Sequence, residues 1–528
     1  MTIRVRFAPS PTGKVHIGNI RAAIFNYLFA RHNGGKFLLR VEDTDIERST
    51  PEAIEALFEV MTWLGLEYDE EVFYQTSQAD QHLEAAQKLI DQGDAYKFAK
   101  GDSGEAVLYR IPFNCDDMEG IKTVGPAKFD VHQDVAVKID STGIAFAQVS
   151  KKGKAMETEA CLAGFKDLQV FNADNEVVFT LNENIDAILS GEKSFVIENA
   201  ARFEFTRRSV GYTDLVKGDL SKPLDSMKDM VIVRSNGTPI FHLSNVCDDI
   251  TQNITHIIRG DDHVENTYRH LLLFQSLGGK APAYGHLPMI VNASGKPYSK
   301  RDGDAFVGDF QDKGFMAKAL FNYLSLLGWS PGDDREKMTI DEMVELFTLE
   351  RVKSTAAQMD HKKLTNLNGQ YIAEMNAADF VDTIKGYLAD QDWFNVCEDE
   401  EFLKQVCALM QSRTNLFADC AGWSYFFTNE YECNEKAVKK TIGKPQVAAQ
   451  LIMAKANLAE VSKWTVENID KALKATAVEC EVGEFKLHQP FRVAITGVTN
   501  GAGVLEIAEL LGQEEVLFRI QNSCTITE

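Results

Sequence analysis

The sequence predicts an α/β protein: alternating strands and helices, interrupted by a long β-rich insertion and followed by an all-helical C-terminal part. Three observations predict it. Apolar spacing changes from period two to period 3.6 and back between Ile3 and Leu64. The same alternation returns at 256–291, and after Phe315 helical spacing runs on with few prolines. The 528 residues exceed what one core serves, and 45% apolar with 25% charged residues are globular proportions, which exclude general disorder.

The elements follow in order. Ile3 to Phe7 is a strand running into Pro9-Ser10-Pro11-Thr12-Gly13, a tight loop. From His16, Ile17, Ile20, Ile24, Tyr27 and Leu28 recur at helical spacing, and Gly34-Gly35 stands where a C-cap belongs. Lys36–Val41 is apolar enough for a strand buried on both faces. Thr50 as N-cap and Pro51 at the first helical position open another helix. Late in the chain His256–Gly260 reads as a strand, Tyr268–Leu277 as a helix closed by Gly278-Gly279, and Leu287–Val291 as a strand. Between the halves lie alternating runs such as Val135–Ile139 and Val177–Leu181, which read as a separately folded β-rich segment. Ala317–Leu327 is an apolar-faced helix, and Thr339-Ile340-Asp341-Glu342 is a capping box.

Composition narrows the class. No apolar run approaches the ~18 residues a membrane span needs, and Met1–Arg6 lacks a signal-peptide core, so a cytoplasmic protein without a membrane partner is expected. Nine cysteines with no C-x-x-C pair point to reduced thiols and no zinc. A net charge of −23 argues against non-specific nucleic-acid binding, while leaving room for a local basic patch.

Three places carry candidate chemistry. The Pro9–Gly13 loop leaves a strand and enters a helix, so free N–H groups and the positive dipole end face the crevice, with His16 able to donate to a phosphate. A capped helix with a surface histidine is the plainer alternative. Gly295-Lys296-Pro297-Tyr298-Ser299-Lys300-Arg301-Asp302-Gly303 is a basic loop suited to clamping polyphosphate, or a solvated turn. The third is a set of charges at strand ends: Arg6; Arg40, Glu42, Asp43 and Asp45; Arg259, Asp261 and Asp262. Ligands of open α/β sheets bind at such ends, although ion pairs among the charges also account for them.

Arg6-Phe7-Ala8-Pro9-Ser10-Pro11-Thr12-Gly13 with His16-Ile17-Gly18, then Leu38–Asp45, resembles the N-terminus of bacterial glutamyl-tRNA synthetases. So do Ile258-Arg259-Gly260-Asp261-Asp262-His263, the Ser299-Lys300-Arg301 loop and Phe321–Asp334. The resemblance implies a class I synthetase: a Rossmann-type catalytic domain, an inserted α+β acceptor-binding domain with an extra β-rich insertion, and an all-α anticodon-binding region. It implies halves at 1–93 and 245–291, the insertion at 94–244 with its β-rich middle at about 116–208, a signature-loop and stem-contact domain at 292–376, and the helical region at 377–528.

The same resemblance implies roles. His16 and Lys300 would be catalytic. Pro9, Thr12, His16, Gly18, Asn19, Ser299, Lys300 and Arg301 would bind ATP, with Mg²⁺ assisting. Arg6, Ser10, Glu42, Phe241, Asn245 and Arg259 would bind L-glutamate. The partner would be tRNA(Glu), with tRNA(Gln) left open, and the protein a monomer. Arg301, His361-Lys362-Lys363 and Lys436–Lys444 are candidate RNA-facing cations, for which solvated helix faces are the commoner reading. Three departures stand out: Pro297 where the loop's first lysine is usual, Phe241 where tyrosine is common, and residues 116–208, which match nothing in the expected pattern. A non-catalytic tRNA-binding paralogue is the rival that Pro297 keeps open. A truncated paralogue that modifies a tRNA base is disfavoured by roughly 200 residues after Ser330.

Overall fold

The structure, a computed structural model, describes residues 2–45, 47–99, 104–149, 154–394, 399–429, 431 and 433–525, without the side chains of 435, 524 and 525. Cys397 and the Cys524 side chain therefore lie outside the described residues. The chain forms two compact units, one of residues 1–307 with 324–359 and the other of 308–323 with 360–528.

In the first unit, β1 (Arg4–Phe7) leads to α1 (Ile17–His32), then β2 (Lys36–Val41), α2 (Pro51–Leu64), β3 (Phe73–Tyr74) and α3 (Ala79–Gln92). β1 pairs in parallel with β2 from Arg4↔Lys36 to Phe7↔Leu39, and β2 pairs with β3. Thr50 accepts from Ala53 N–H with Pro51 just inside the helix, as its sequence signal predicts. α1 buries Ile17, Ile20, Ala23, Ile24, Phe25, Leu28 and Ala30. Apolar residues surround most of that helix because it packs against β1, β2 and a late strand.

The insertion begins with β4 (Ala95–Ala99) and β5 (Glu105–Tyr109). Next come β6 (Ile121–Asp130), β7 (Val137–Asp140), β8 (Gly143–Val149), β9 (Ala155–Ala160), β10 (Phe165–Asn172), β11 (Val177–Thr180), α4 (Ile185–Leu189), β12 (Phe195–Ile197), β13 (Ala200–Asp214), β14 (Gly218–Pro223) and β15 (Met230–Val233). Three sheets result: β15-β5-β4, β12-β7-β8-β9, and β11-β10-β13-β14 with β6 on the other edge of β13, and the last two share one core. Phe129, Phe146, Phe165, Phe203 and Phe205 pack ring against ring at their core.

α5 (Phe241–Thr251) brings the chain back to β16 (His256–Gly260), α6 (Val264–Ser276) and β17 (Ala283–Leu287). β16 and β17 are parallel. β16 enters beside β1, where Thr255 N–H donates to the Arg4 carbonyl at 2.9 Å. The parallel sheets β3-β2-β1 and β16-β17 thus lie side by side at β1 and β16, and the order of elements reverses there. That reversal opens a crevice at the carboxyl ends of β1 and β16.

Two expected boundaries shift. The helix expected from Tyr268 starts at Val264, where Asp261, Asp262 and Glu265 complement the positive dipole end. The strand expected at Leu287–Val291 is two pieces, β17 ending at Leu287 and a short β18 (Ile290–Val291). Pro288, with no N–H to donate, breaks it. The segment expected as one domain at 292–376 is divided: 324–359, with the Thr339–Glu342 capping box, belongs to the first unit, and 360–376 to the second. In the second unit, helices from His361–Ala373 to Gln513–Thr525 enclose Ile372, Phe380, Ile384, Val406, Leu451, Leu473, Phe491, Ile507 and Ile520. No helix among the described residues is long and apolar enough to cross a membrane.

Candidate active site

The crevice is a cleft of about 610 Å³. Its walls bring together Arg6, Pro9, Ser10, Thr12, His16, Gly18, Asn19, Glu42, Phe241, Asn245 and Arg259, each singled out from sequence. Pro297 and Tyr298 also line it, whereas Ser299, Lys300 and Arg301 do not. Lys300 and Arg301 are exposed, and Asp302 organises the turn by accepting from Ser299 N–H and Oγ.

Arg6, next to the last residue of β1, is 4% exposed. Its Nε–H donates to Asp249 Oδ1 at 3.0 Å, and neither terminal nitrogen has a partner among the described residues. Arg259, near the end of β16, donates from Nε to His286 Nε2 at 3.3 Å and from Nη2 to Thr267 Oγ1 at 2.8 Å, lying over the Tyr284 ring. Its Nη1 likewise has no described partner. Two guanidiniums therefore present free N–H groups to one cleft, a geometry suited to carboxylates.

Glu42, Asp261 and Asp262 are the anionic wall groups, and Glu42 is the buried one. It accepts from Asn245 Nδ2 at 2.9 Å and Arg40 Nη2 at 3.2 Å. Burial pushes its carboxyl up, against the pull of Arg40 and Arg6. Behind it Arg40, fully buried, donates to Asp249 Oδ1 at 2.6 Å. Asp248 accepts from Gln75 at 2.6 Å and lies 2.7 Å from His82 Nε2. Burial favours a protonated Asp249, but Arg40 and Arg6 together hold it below the usual carboxylate range.

At the other end, His16 is the N-cap of α1. Its Nδ1 accepts from Gly18 N–H at 3.0 Å, so Nε2 carries the proton. Burial lowers its pKa and keeps it neutral. A Cβ at Gly18 would lie 3.2 Å from Nδ1, so glycine makes room for this cap. That packing reason accompanies the approach of a flat base considered from sequence. The loop is tied down by Glu42 N–H donating to the Pro9 carbonyl at 3.0 Å.

Sequence reading missed Asp248, Asp249, Asp214 and His286. The adjacent acids Asp248-Asp249 inside an apolar helix were the available signal. Two charges singled out act locally instead: Asp43 accepts from Thr76 N–H and Oγ1, and Asp45 pairs with Arg48. The charges were rightly placed at strand ends, and only part of them faces the cleft.

Parallel strands with a crevice where their order reverses, and a capped helix N-terminus beside it, form a ligand-binding α/β unit, and the class is that of the class I synthetases. The family described as "tRNA synthetases class I (E and Q), catalytic domain" matches residues 2–103 and 120–366, and an "Anticodon binding domain" matches 379–524. The chain belongs to the class I glutamyl/glutaminyl-tRNA synthetase family. It is 32% identical over 523 residues to "Glutamate--tRNA ligase 2" of Thermoanaerobacter pseudethanolicus, covering 99% of this chain and 98% of that one. It is 34% identical over 528 residues to "Glutamate--tRNA ligase 2" of Parvibaculum lavamentivorans, covering 99% and 94%. The crystal structure of a glutamate tRNA ligase from Elizabethkingia meningosepticum in complex with its amino acid superposes with a TM-score of 0.69 at 25% identity, covering all of both chains. The catalytic-domain match resumes at residue 120 and so spans most of the 116–208 segment.

Proposed function

We propose that this protein attaches L-glutamate to tRNA(Glu) using ATP, through a glutamyl-adenylate. The observation that carries the reading is the convergence of unpartnered Arg6 and Arg259 nitrogens with Glu42 in a cleft that His16 closes at a helix N-terminus. Full-length likeness to chains named glutamate–tRNA ligase supports it.

In this reading Arg6 and Arg259 take the substrate's carboxylates, and Glu42, oriented by Asn245, takes its ammonium. Ser10 and Phe241 complete that pocket, where phenylalanine contributes a ring without a hydroxyl. Pro9, Thr12, Gly18 and Asn19 border the nucleotide, and His16 Nε2–H donates to a phosphate oxygen. A glutamate α-carboxylate oxygen attacks the α-phosphorus, the bond to the bridging oxygen breaks, and pyrophosphate leaves. Ser299, Lys300 and Arg301 offset charge developing on the phosphates from the loop. The terminal ribose hydroxyl of tRNA then attacks the carbonyl carbon and AMP leaves. No bond to the enzyme forms, so the rate comes from positioning and charge.

Mg²⁺ accompanies ATP in this class of reaction. The ion would enter with the nucleotide and offset charge on its phosphates. We further propose a cytoplasmic monomer. ATP–pyrophosphate exchange, with and without tRNA, tests the activity. Exchange with glutamate supports it, and absence of exchange under both conditions favours a non-catalytic tRNA-binding protein. Aminoacylation of purified tRNA(Glu) and tRNA(Gln) decides whether both are charged.

A further inference from the structure

Arg259 is aimed from behind by two groups on other elements. His286, wholly buried near the end of β17, places Nδ1 2.6 Å from Asp214 Oδ2, and its backbone N–H donates to Asp214 Oδ1 at 3.2 Å. Asp214 closes β13, the long strand of the inserted sheet, and is itself fixed by accepting from the N–H groups of Val216 and Lys217 at 2.9 and 2.8 Å. A carboxylate at Nδ1 requires the proton there, which leaves Nε2 as an acceptor. Arg259 Nε–H faces it at 3.3 Å and the Thr267 hydroxyl at 3.1 Å, and that hydroxyl itself accepts from Arg259 Nη2. The His286 ring also stacks on Tyr284, with planes 4° apart, and Tyr284 lies under the guanidinium.

We infer that Asp214 and His286 are positioning residues for the glutamate pocket, fixing the guanidinium plane of Arg259 so that Nη1 faces the substrate. The inference rests on the reading of Arg259 as a carboxylate partner. A guanidinium held at Nε and Nη2 has one orientation left for Nη1. Without the Nε anchor it rotates, and productive geometry becomes one of several.

The test is steady-state exchange kinetics on the full-length protein carrying His286→Leu, His286→Gln, Asp214→Asn or Arg259→Ala. His286→Leu and Asp214→Asn should raise KM for glutamate about ten-fold or more, with KM for ATP within about two-fold. His286→Gln, which supplies an acceptor at the reach of Nε2, should recover most of the loss. Asp214 also holds a turn, so its variant is read only alongside an unchanged melting curve, and the Leu/Gln pair at 286 stands without it. If Arg259→Ala raises the glutamate KM while His286→Leu does not, the positioning role is wrong and the pocket assignment survives. Equal damage from Leu and Gln, or parallel changes in both KM values, also overturns the positioning role. Should Arg259→Ala leave the glutamate KM unchanged, both fall.

Discussion

Asp249 Oδ1 lies 3.0 Å from Arg6 Nε and 2.6 Å from Arg40 Nη1, so one buried carboxylate bridges two buried guanidiniums. The two arginines occupy neighbouring parallel strands, and Asp249 reaches them from α5. Arg6 is thereby anchored through its inner nitrogen while its outer edge stays open to the cleft. The arrangement orients a cation whose terminal nitrogens no described side chain uses.

Asp249→Asn should therefore damage stability and activity together. Removing one member of a buried charge cluster leaves the others uncompensated, a loss of about 3–5 kcal/mol. Urea denaturation would register it as a lower midpoint at an unchanged slope. A midpoint equal to that of the parent would mean the cluster contributes nothing net.

Arg6→Ala, which removes a member of the same cluster, should add a defect specific to glutamate. The loss of one pocket cation leaves a substrate carboxylate unpaired in a desolvated site, worth about 2–4 kcal/mol of kcat/KM for glutamate, or roughly 30- to 1000-fold. KM for ATP should hardly change. Normal glutamate activation by the variant would remove Arg6 from the pocket.

How much of this was legible in the sequence depends on the range of the interaction. Thr50-Pro51, the Thr339–Glu342 capping box and the His16 cap are local, within three residues, and were readable. Arg6, Glu42 and Arg259 were visible as charges at strand ends because burial makes such charges conspicuous. Their partners were not visible. Asp249 lies 243 positions from Arg6, and Asp214 lies 72 from His286, and nothing in local spacing pairs them. The strand break after Leu287 was missed because Met289-Ile290-Val291 continues the apolar run past Pro288.

Acid should weaken the first unit through Glu70. Side-chain hydrogen bonds from Arg4 and Lys36 hold its carboxyl down to about 2, below its ordinary 4.5. A depressed carboxylate contributes stability that is fully present above pH 4.5 and lost as pH falls through 4.5 toward 2. Glu70 is partly exposed and the pairs are screened, so the contribution is about 1 kcal/mol or less. Glu70→Gln should flatten that part of the pH–stability curve, and an identical curve in the variant would assign the acid sensitivity elsewhere.

Gly18→Ala should separate stability from activity in the opposite sense to Asp249→Asn. Position 18 lies in the first turn of α1, where alanine is the better helix former by up to about 1 kcal/mol. Its Cβ would stand 3.2 Å from His16 Nδ1 and 3.7 Å from Cε1, so the imidazole must move. The ring already meets Phe306 edge-on with centroids 5.9 Å apart, which limits its retreat. The cap at Nδ1 is then lost and the Nε2 proton is re-aimed away from the phosphate position. Thermal unfolding should shift little, because the lost cap offsets the helix gain, while kcat for ATP–pyrophosphate exchange falls about ten-fold or more. Full exchange activity at an unchanged melting temperature would show that the His16 cap does not set the orientation the nucleotide requires.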